Sequence, residues 1–287
     1  MWMILAFASS VFAALTTILA KCGIKKTDST VATAIRTSVV VVFAWLMVLV
    51  VGSFEDIADV EPESWIFLIL SGFSTGASWL CYFKALQLGD VNKVVAVDKS
   101  SIVFTLLLAF VLLGEPFSVY KGVALILITA GTYLMVDWKR TQKSGEQNNQ
   151  WLLYALGSAV FAALTSILGK VGIENVESNL GTAIRTVVVV IFAWLMVLVS
   201  GKKEAVRGIG KKELIYIIFS GIATGASWLC YFKALQDGLA SVVVPIDKMS
   251  ILFVVVASAI FFKEKISGRA FGGLLCIVAG TLLMIAA

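Results

Sequence analysis

The chain has 287 residues, of which 60% are hydrophobic and only 14% are charged, and its formal net charge is +5. Because soluble domains carry about 25% charged residues, this composition excludes an ordinary soluble domain, and it also excludes disordered, collagen-like and disulfide-rich secreted chains. The chain contains no histidine, the commonest metal ligand and a frequent general base.

Ten apolar runs follow one another along the chain, and each is long enough for a membrane-spanning helix, which needs about 20 apolar residues. They cover residues 2–20, 32–52, 64–86, 93–113, 118–137, 151–169, 181–200, 213–235, 240–262 and 268–287. The first run has no basic residues before it and no cleavage motif after it, which predicts a retained helix and not a signal peptide. Residues 139–150 are polar and predict a flexible linker.

The chain consists of two copies of one sequence unit. Residue i matches residue i+149 without a gap from Trp2 onward, and residues 75–87 return unchanged as 224–236. About half of the aligned positions are identical, which indicates a true internal repeat. We therefore predict a first repeat at 1–138, a linker at 139–150 and a second repeat at 151–287, with five helices in each repeat.

Because each repeat has an odd number of helices, the second repeat enters the membrane from the opposite side and is inverted relative to the first. The sequence thus predicts an all-α polytopic membrane protein with ten transmembrane helices in two inverted repeats. The loop charges agree, because the loop before Ile66 is acidic whereas its counterpart in the second repeat is basic. The basic side chains also crowd the first loop, the linker and the last loop (Lys25, Lys26, Lys139, Arg140, Lys143, Lys263, Lys265 and Arg269). By the positive-inside rule, we expect both termini outside the cytoplasm.

Ionisable residues recur in both repeats inside or beside the apolar runs. Those at the ends of runs are expected to reach the lipid headgroups; they are Lys21, Lys170, Glu115 and Glu264. Four others lie about one helical turn inside their runs, and for them both headgroup contact and a role in a binding site remain possible interpretations: Arg36, Arg185, Lys84 and Lys233. The Asp98-Lys99 and Asp247-Lys248 pairs lie deeper, and a short aspartate cannot reach the headgroups from there. They are candidates for substrate or ion binding, or for a structural pair that joins two helices.

This arrangement predicts two mirrored charged clusters, one near each membrane surface, with an apolar middle between them. The aromatic pairs Trp79 with Tyr82 and Trp228 with Tyr231 share helix faces that line a cavity or pack against other helices.

Two faces of small residues predict close helix packing; they hold Ala6, Ser10, Ala14, Gly72, Gly76 and their counterparts 149 residues later. Pro245 replaces Ala96 and predicts a kink in the ninth span alone. The four cysteines lie in or beside apolar runs and predict buried thiols.

Four motifs are shared with a known family. They are Thr-Ala-Ile-Arg-Thr in the second span, Trp-Leu-Cys-Tyr-Phe-Lys-Ala-Leu-Gln in the third, Pro245-Ile-Asp-Lys248 in the ninth and Leu113-Gly-Glu115 after the fourth. Through these motifs the chain resembles, over its whole length, the EamA family of the drug/metabolite transporter superfamily. It implies ten helices, a central cavity between the halves, and export or exchange of small metabolites. Two features depart from the superfamily: the first helix of each repeat lacks an acidic residue, and many ten-span relatives are thought to keep both termini cytoplasmic.

The sequence therefore predicts a secondary active transporter, an exporter or exchanger, of a small polar or amphipathic metabolite, working by alternating access. A non-transporting membrane scaffold or assembly protein and a lipid flippase remain the alternatives. We expect no enzymatic activity, cofactor, metal, nucleic-acid partner or direct use of ATP, because no nucleotide loop, metal cluster or nucleophile elbow is present. The expected partners are the lipid bilayer, in a prokaryotic plasma membrane, and a small solute, with coupling to a proton or another ion left open.

Overall fold

A computed structural model describes residues 1–23, 27–88, 94, 97–135, 150–261 and 268–286 of the chain. Every regular element in these ranges is helical, so the predicted all-α class is confirmed for them. Several predicted features lie outside the described residues. They are the basic side chains of the first loop and the linker, Glu264, Lys263 and Lys265.

The helices follow the predicted runs closely. Those in the first half are α1 (Trp2–Gly23), α2 (Ser29–Val51), α3 (Pro62–Leu88), α4 (Ser101–Leu112) and α5 (Val119–Met135), with a 3₁₀ turn at Glu55–Asp59. Those in the second half are α6 (Gln150–Gly172), α7 (Ser178–Val199), α8 (Lys211–Asp237), α9 (Ala240–Lys248), α10 (Ser250–Phe261) and α11 (Gly268–Ala286), with a 3₁₀ turn at Glu204–Val206.

Eight helical segments among the described residues are long and apolar enough to cross a membrane, and the apolar part of α5, Val119–Leu134, is shorter. One of the eight, Ala240–Ala257, combines α9 with most of α10. Large apolar side chains lie exposed on the outside of the bundle, such as Val199 at 85% and Val111 at 77% exposure. Exposed apolar surface on long helices is the mark of contact with lipid. The chain is an integral membrane protein.

The two halves are packed together by the first three helices of each repeat, with the first helix of one repeat against the third helix of the other and the two second helices against each other. Helix α1 packs along α8, α3 packs along α6, and α2 contacts α7, so each of these pairs joins the two halves. Small residues allow the close approach, as predicted: a Cβ atom added to Gly72 would lie 2.7 Å from the Arg185 carbonyl oxygen, and one added to Gly221 would lie 2.6 Å from the Val39 Cβ. The absence of a side chain at Gly72 and Gly221 therefore sets the spacing between α3 and α7 and between α8 and α2.

The fourth and ninth spans are both broken in the middle. The ninth span is interrupted at Met249, between α9 and α10, and the fourth is interrupted at the equivalent Ser100, where a turn separates residues 97–99 from α4. The backbone N–H of each of these two residues donates to the carbonyl three residues earlier. The prediction of a kink in the ninth span alone is wrong, because the fourth span breaks at the same place although Ala96 stands where Pro245 stands in the ninth.

The four cysteines, Cys22, Cys81, Cys230 and Cys276, are free thiols. They are partly buried and not fully enclosed, which differs from the predicted burial. The reason is that helices in lipid expose a large part of their apolar surface.

Candidate functional site

Two equivalent clusters of two serines and one aspartate lie across the interface between the halves. The Ser158 hydroxyl donates to Asp98 Oδ1 at 2.7 Å and lies 3.2 Å from the Ser78 hydroxyl. In the second cluster, the Ser9 hydroxyl donates to Asp247 Oδ1 at 2.8 Å and lies 3.2 Å from Ser227. In each cluster the central serine, Ser158 or Ser9, comes from the opposite half to the other two residues.

The sequence analysis missed these four serines, although the repeat contained the signal for them. Ser9 and Ser158 are equivalent, as are Ser78 and Ser227, so each of these two positions holds a serine in both copies. Ser9 lies next to Ser10 on the small-residue face of α1, which makes it look like a packing residue. Its role is visible only once α1 is placed against α8 and α9.

Both aspartates directly precede the break in their span. Asp98-Lys99 comes before the turn at Ser100, and Asp247-Lys248 closes α9 before Met249. Helices that are interrupted within the membrane are a common feature of solute sites in membrane transporters. In each half, a charged pair lies directly before such an interruption.

The structure brings the charged pairs of the two halves together. Lys99 is close enough to Lys248, Asp98 and Asp247 for Coulombic interaction with all three, and Asp247 likewise interacts with both lysines. The prediction of two clusters separated by an apolar middle is wrong for these four residues. The sequence placed each pair correctly along its helix, but it did not indicate that the two broken spans meet.

Arg185, on α7 of the second half, is held by contacts with α3 of the first half. Its Nε donates to Ser71 Oγ at 3.2 Å and its Nη2 donates to Thr75 Oγ1 at 2.8 Å. The guanidinium carbon lies 4.3 Å from the ring centre of Phe232 and 5.1 Å from that of Trp228. Arg185 is only 1% exposed, so contact with the headgroups is excluded for this residue.

A cavity of about 210 Å³ lies beside this arginine. Its walls include Arg185, Trp228, Tyr231, Phe232, Asp247 and Lys248. Five of these six residues were predicted site residues, and Phe232 was missed. The Tyr231 hydroxyl is 2.8 Å from Ser166 Oγ, which fixes the orientation of the ring at the cavity wall.

The other predicted site residues lie away from this cavity. Lys233 pairs with Asp237 at 2.9 Å and with Gln236, and Lys84 is exposed near the end of α3. Trp79 packs against an apolar cluster that contains Val31 and Val197. Tyr82 packs against a separate apolar cluster, although it lies within Coulombic range of Asp98.

Arg36, the equivalent of Arg185, is placed differently. It lines a small pocket of about 80 Å³ together with Ser29, Thr33 and Ser220. Within the described ranges it makes no hydrogen bond, whereas Arg185 bonds to Ser71, which is the equivalent of Ser220. The two repeats therefore share this arginine and its serine neighbour but hold the arginine in two different arrangements.

Glu115 and Lys170 do not reach for the headgroups, and that prediction is wrong for both. Glu115 is 7% exposed, and its two oxygens accept hydrogen bonds from the backbone N–H groups of Ala240 at 2.6 Å and Ser241 at 2.9 Å. It thereby caps the first turn of α9 from the opposite half. The Lys170 ammonium donates to the carbonyls of Leu235, at 2.7 Å, and Gly238 at the end of α8. Both side chains satisfy free main-chain groups at helix ends.

Two relatives of this chain are described as a transporter and as a solute carrier. The EamA-like transporter family matches residues 1–137 and again residues 149–286. An uncharacterised transporter from a Sinorhizobium species is 39% identical over 137 residues, which cover 48% of this chain and 97% of that relative. The human solute carrier family 35 member G1 is 27% identical over 251 residues, which cover 84% of this chain and 68% of the relative.

The fold is also known from a solved crystal structure, whose TM-score with this chain is 0.83 at 15% sequence identity, with 99% of this chain and 98% of that one covered. The family match extends over both halves of the chain, so the resemblance inferred from the motifs is confirmed. This chain belongs to the EamA-like transporter family.

Proposed function

We propose that the protein is a secondary active transporter that exports or exchanges a small polar or amphipathic metabolite by alternating access between two inverted five-helix repeats. The observation that carries this proposal is the polar cavity beside Arg185, at the interface of the two halves and next to a broken span. A solute site at a repeat interface, built on discontinuous helices, is what alternating access requires. In this proposal the fourth and fifth spans of each repeat complete a set of ten helices.

The contacts between α2 and α7 support the inversion. These helices are equivalent in the repeat, yet the start of each lies beside the end of the other. Asp28, before α2, pairs with Lys202, after α7, at 2.8 Å. At the opposite end, the Ser53 hydroxyl, after α2, donates to Glu177, before α7, at 3.0 Å. Equivalent helices that run in opposite directions are the expected result of one repeat being turned over in the membrane.

The difference between Arg36 and Arg185 supports two alternating states. In the present state Arg185 ties α7 to α3 through Ser71 and Thr75, and Arg36 has no such bond to the equivalent residues of α8. Since the arginine and its serine and threonine partners are identical in the two repeats, the arrangement of one half is available to the other. In the opposite state, Arg36 would donate to Ser220 and Thr224 while Arg185 is released. The exchange of these bonds would close the site to one side of the membrane and open it to the other.

A transporter fits these observations better than the other functions considered. A scaffold has no need of charged pairs at two helix breaks, since each buried charge costs about 2.5–3.5 kcal/mol on insertion scales. We also propose that the chain is not an enzyme and that it acts in a prokaryotic plasma membrane without direct use of ATP. Its coupling ion, if it has one, would act at Asp98 or Asp247.

Reconstitution tests the proposal directly. The purified protein is placed in liposomes loaded with a mixture of small polar and amphipathic metabolites, and release is followed by mass spectrometry with and without a pH gradient. Release of a subset of solutes above the level of protein-free liposomes is expected. Release equal to that of protein-free liposomes for every solute would contradict transport. Accelerated lipid exchange between leaflets would favour a flippase, and co-purification with a partner would favour a scaffold.

A further inference from the structure

We propose that the cavity beside Arg185 binds a small organic monoanion, with a carboxylate received by Arg185 and Lys248 and an apolar body against the aromatic wall. This inference rests on the proposed function, because it names the substrate class of the same site. It is carried by an unsatisfied donor, by the charge around the cavity and by the nature of its walls.

The first observation is that Arg185 has a buried donor without an acceptor. Its Nε and Nη2 atoms are bonded to Ser71 and Thr75, but Nη1 has no hydrogen-bond partner among the described residues. A buried polar group left unpaired costs about 1–3 kcal/mol, and more when it is charged. A guanidinium can only donate. The group that satisfies Nη1 must therefore be an acceptor, and an anionic oxygen is the strongest one.

Two hydroxyl groups on the same face of α7 are also unpaired. Ser178 Oγ and Thr182 Oγ1 are buried and have no partner within the described ranges. They precede Arg185 by seven and three positions, so all three side chains lie along one face of α7. In the first half, the equivalent Ser29, Thr33 and Arg36 line the pocket of about 80 Å³. The face of α7 that carries Arg185 thus holds two further buried polar atoms without a partner among the described residues.

The second observation is the charge at the site. Arg185, Lys248 and Lys99 are opposed by Asp247 and Asp98, which leaves a net charge of +1 when all five are ionised. Asp247 is already bonded to Ser9, and the Lys248 ammonium makes no hydrogen bond or ion pair with the described residues. An excess positive charge in the membrane interior is unfavourable without a counter-charge. A solute with one negative charge neutralises the site, whereas a cation would add to the excess.

The third observation is the composition of the wall. Trp228, Tyr231 and Phe232 form one side of the cavity, and the Tyr231 hydroxyl is engaged with Ser166. This side therefore presents ring faces and edges, which favour an apolar or aromatic group. The cavity volume of about 210 Å³ restricts the solute to a small molecule. A carboxylate with a short apolar or aromatic body satisfies both sides of the cavity.

The binding test uses sets of ligands that share one shape and differ in charge. Thermal stabilisation of the purified protein is measured with phenylacetate, phenylacetamide and phenethylamine, and with acetate, butyrate and their amides. We expect at least one carboxylate to stabilise the protein at concentrations at least tenfold lower than its amide, and the amine to have little effect. Equal stabilisation by acid and amide, preference for the amine, or no stabilisation by any carboxylate would overturn the proposal.

Variants then locate the site. Arg185→Gln and Lys248→Gln should each weaken carboxylate stabilisation by tenfold or more. Arg207→Gln, which removes one exposed positive charge from a loop, should leave it unchanged. Lys248→Gln provides the decisive result if Arg185→Gln fails to fold. Equal carboxylate binding in Lys248→Gln, Arg207→Gln and the unaltered protein would place the anion elsewhere and overturn the proposal.

Flux separates this proposal from the proposed function. Carboxylate binding that depends on Lys248, without release of any solute from liposomes, would support the anion site and contradict transport. Release of neutral or cationic solutes, without carboxylate binding, would support transport and overturn the anion site.

Discussion

Ser9 donates a 2.8 Å hydrogen bond to Asp247, and this contact joins the first helix of one repeat to the broken span of the other. The equivalent bond from Ser158 to Asp98 does the same in the opposite sense at 2.7 Å. Each aspartate is therefore bonded to a helix of the other repeat. Any movement of one half against the other must change the environment of both carboxylates, which is the coupling that alternating access needs.

Asp98→Asn and Asp247→Asn are expected to lower transport at least tenfold while still allowing membrane insertion. Asparagine keeps the size and can still accept the serine hydrogen bond, so only the charge is lost. We expect the larger effect at Asp247, because it lines the cavity. Flux and its pH dependence are measured in proteoliposomes, with Asp59→Asn in an exposed loop as the control.

The size of the stability change in these variants distinguishes two roles. If each aspartate mainly neutralises a neighbouring lysine, its loss leaves an unpaired charge, and the melting temperature should fall by several degrees. If it binds a proton or a solute, stability should hold while flux changes. Flux equal to that of the unaltered protein in both variants, with the same pH dependence, would leave these residues as structural pairs.

Glu115→Ala is expected to lower the melting temperature by several degrees. The change leaves the buried N–H groups of Ala240 and Ser241 without acceptors, at about 1–3 kcal/mol for each unpaired group. Glu115→Gln keeps one acceptor oxygen and should have a smaller effect. Melting is followed in detergent, with Glu63→Ala, an exposed acid at the start of α3, as the matched control. Equal melting of Glu115→Ala and Glu63→Ala would show that the cap contributes nothing.

Much of this architecture could be predicted from the sequence, because apolar length and the 149-residue repeat are strong one-dimensional signals. They predicted the positions of the helices, and five of the candidate residues drawn from them line one cavity: Arg185, Trp228, Tyr231, Asp247 and Lys248. The role of Glu115 could not be predicted, because its partners, Ala240 and Ser241, are 125 residues away and present only backbone groups. The difference between Arg36 and Arg185 could not be predicted either, since equivalent residues in a repeat give the same sequence signal in any conformation.

The ion pair of Asp28 and Lys202 predicts a small pH dependence. Burial opposes ionisation of Asp28, but the Lys202 ammonium and the backbone N–H groups of Thr30 and Val31 outweigh it, and the net effect lowers the pKa of this carboxyl. A lowered pKa stabilises the fold above the usual pKa of about 4, and the stabilisation is lost as the pH falls through the lowered value. Because the pair is partly exposed, the effect should stay below about 1 kcal/mol.

Asp28→Asn tests this relationship, since asparagine still caps α2 but cannot form the ion pair. We expect the variant to melt slightly below the unaltered protein between pH 5 and 7, and the difference to vanish as the solution is acidified. Melting temperatures in detergent, measured from neutral pH to below about pH 4, give the answer. A constant difference down to acidic pH would mean that the charge of Asp28 is not involved.

Gly72→Ala and Gly221→Ala are each expected to destabilise the protein by about 1–3 kcal/mol through overpacking. The new methyl groups would lie 2.7 Å from the Arg185 carbonyl oxygen and 2.6 Å from the Val39 Cβ. Gly272→Ala is a matched control in α11, because nothing lies within 4 Å of its added Cβ. Melting in detergent should rank Gly272→Ala at or above the unaltered protein. A loss of stability as large in Gly272→Ala would assign the effect to the helix and not to the packing of the halves.

The orientation of the protein in the membrane follows from its loop charges. We expect Ile57, in the acidic loop of Glu55–Asp59, to lie outside, and Val206, in the basic loop that begins at Lys202, to lie in the cytoplasm. Ile57→Cys and Val206→Cys are made in a background without the four native cysteines and are treated on intact cells with an impermeant thiol reagent. Labelling of residue 57 and protection of residue 206 are expected, and Val206→Cys should react once the membrane is permeabilised. The reverse pattern would turn the whole protein over while keeping the opposite orientation of α2 and α7. The contact of Asp28 with Lys202 requires only that the loop before α2 and the loop after α7 lie on the same side of the membrane. Labelling of both residues from outside would contradict the inverted repeat itself.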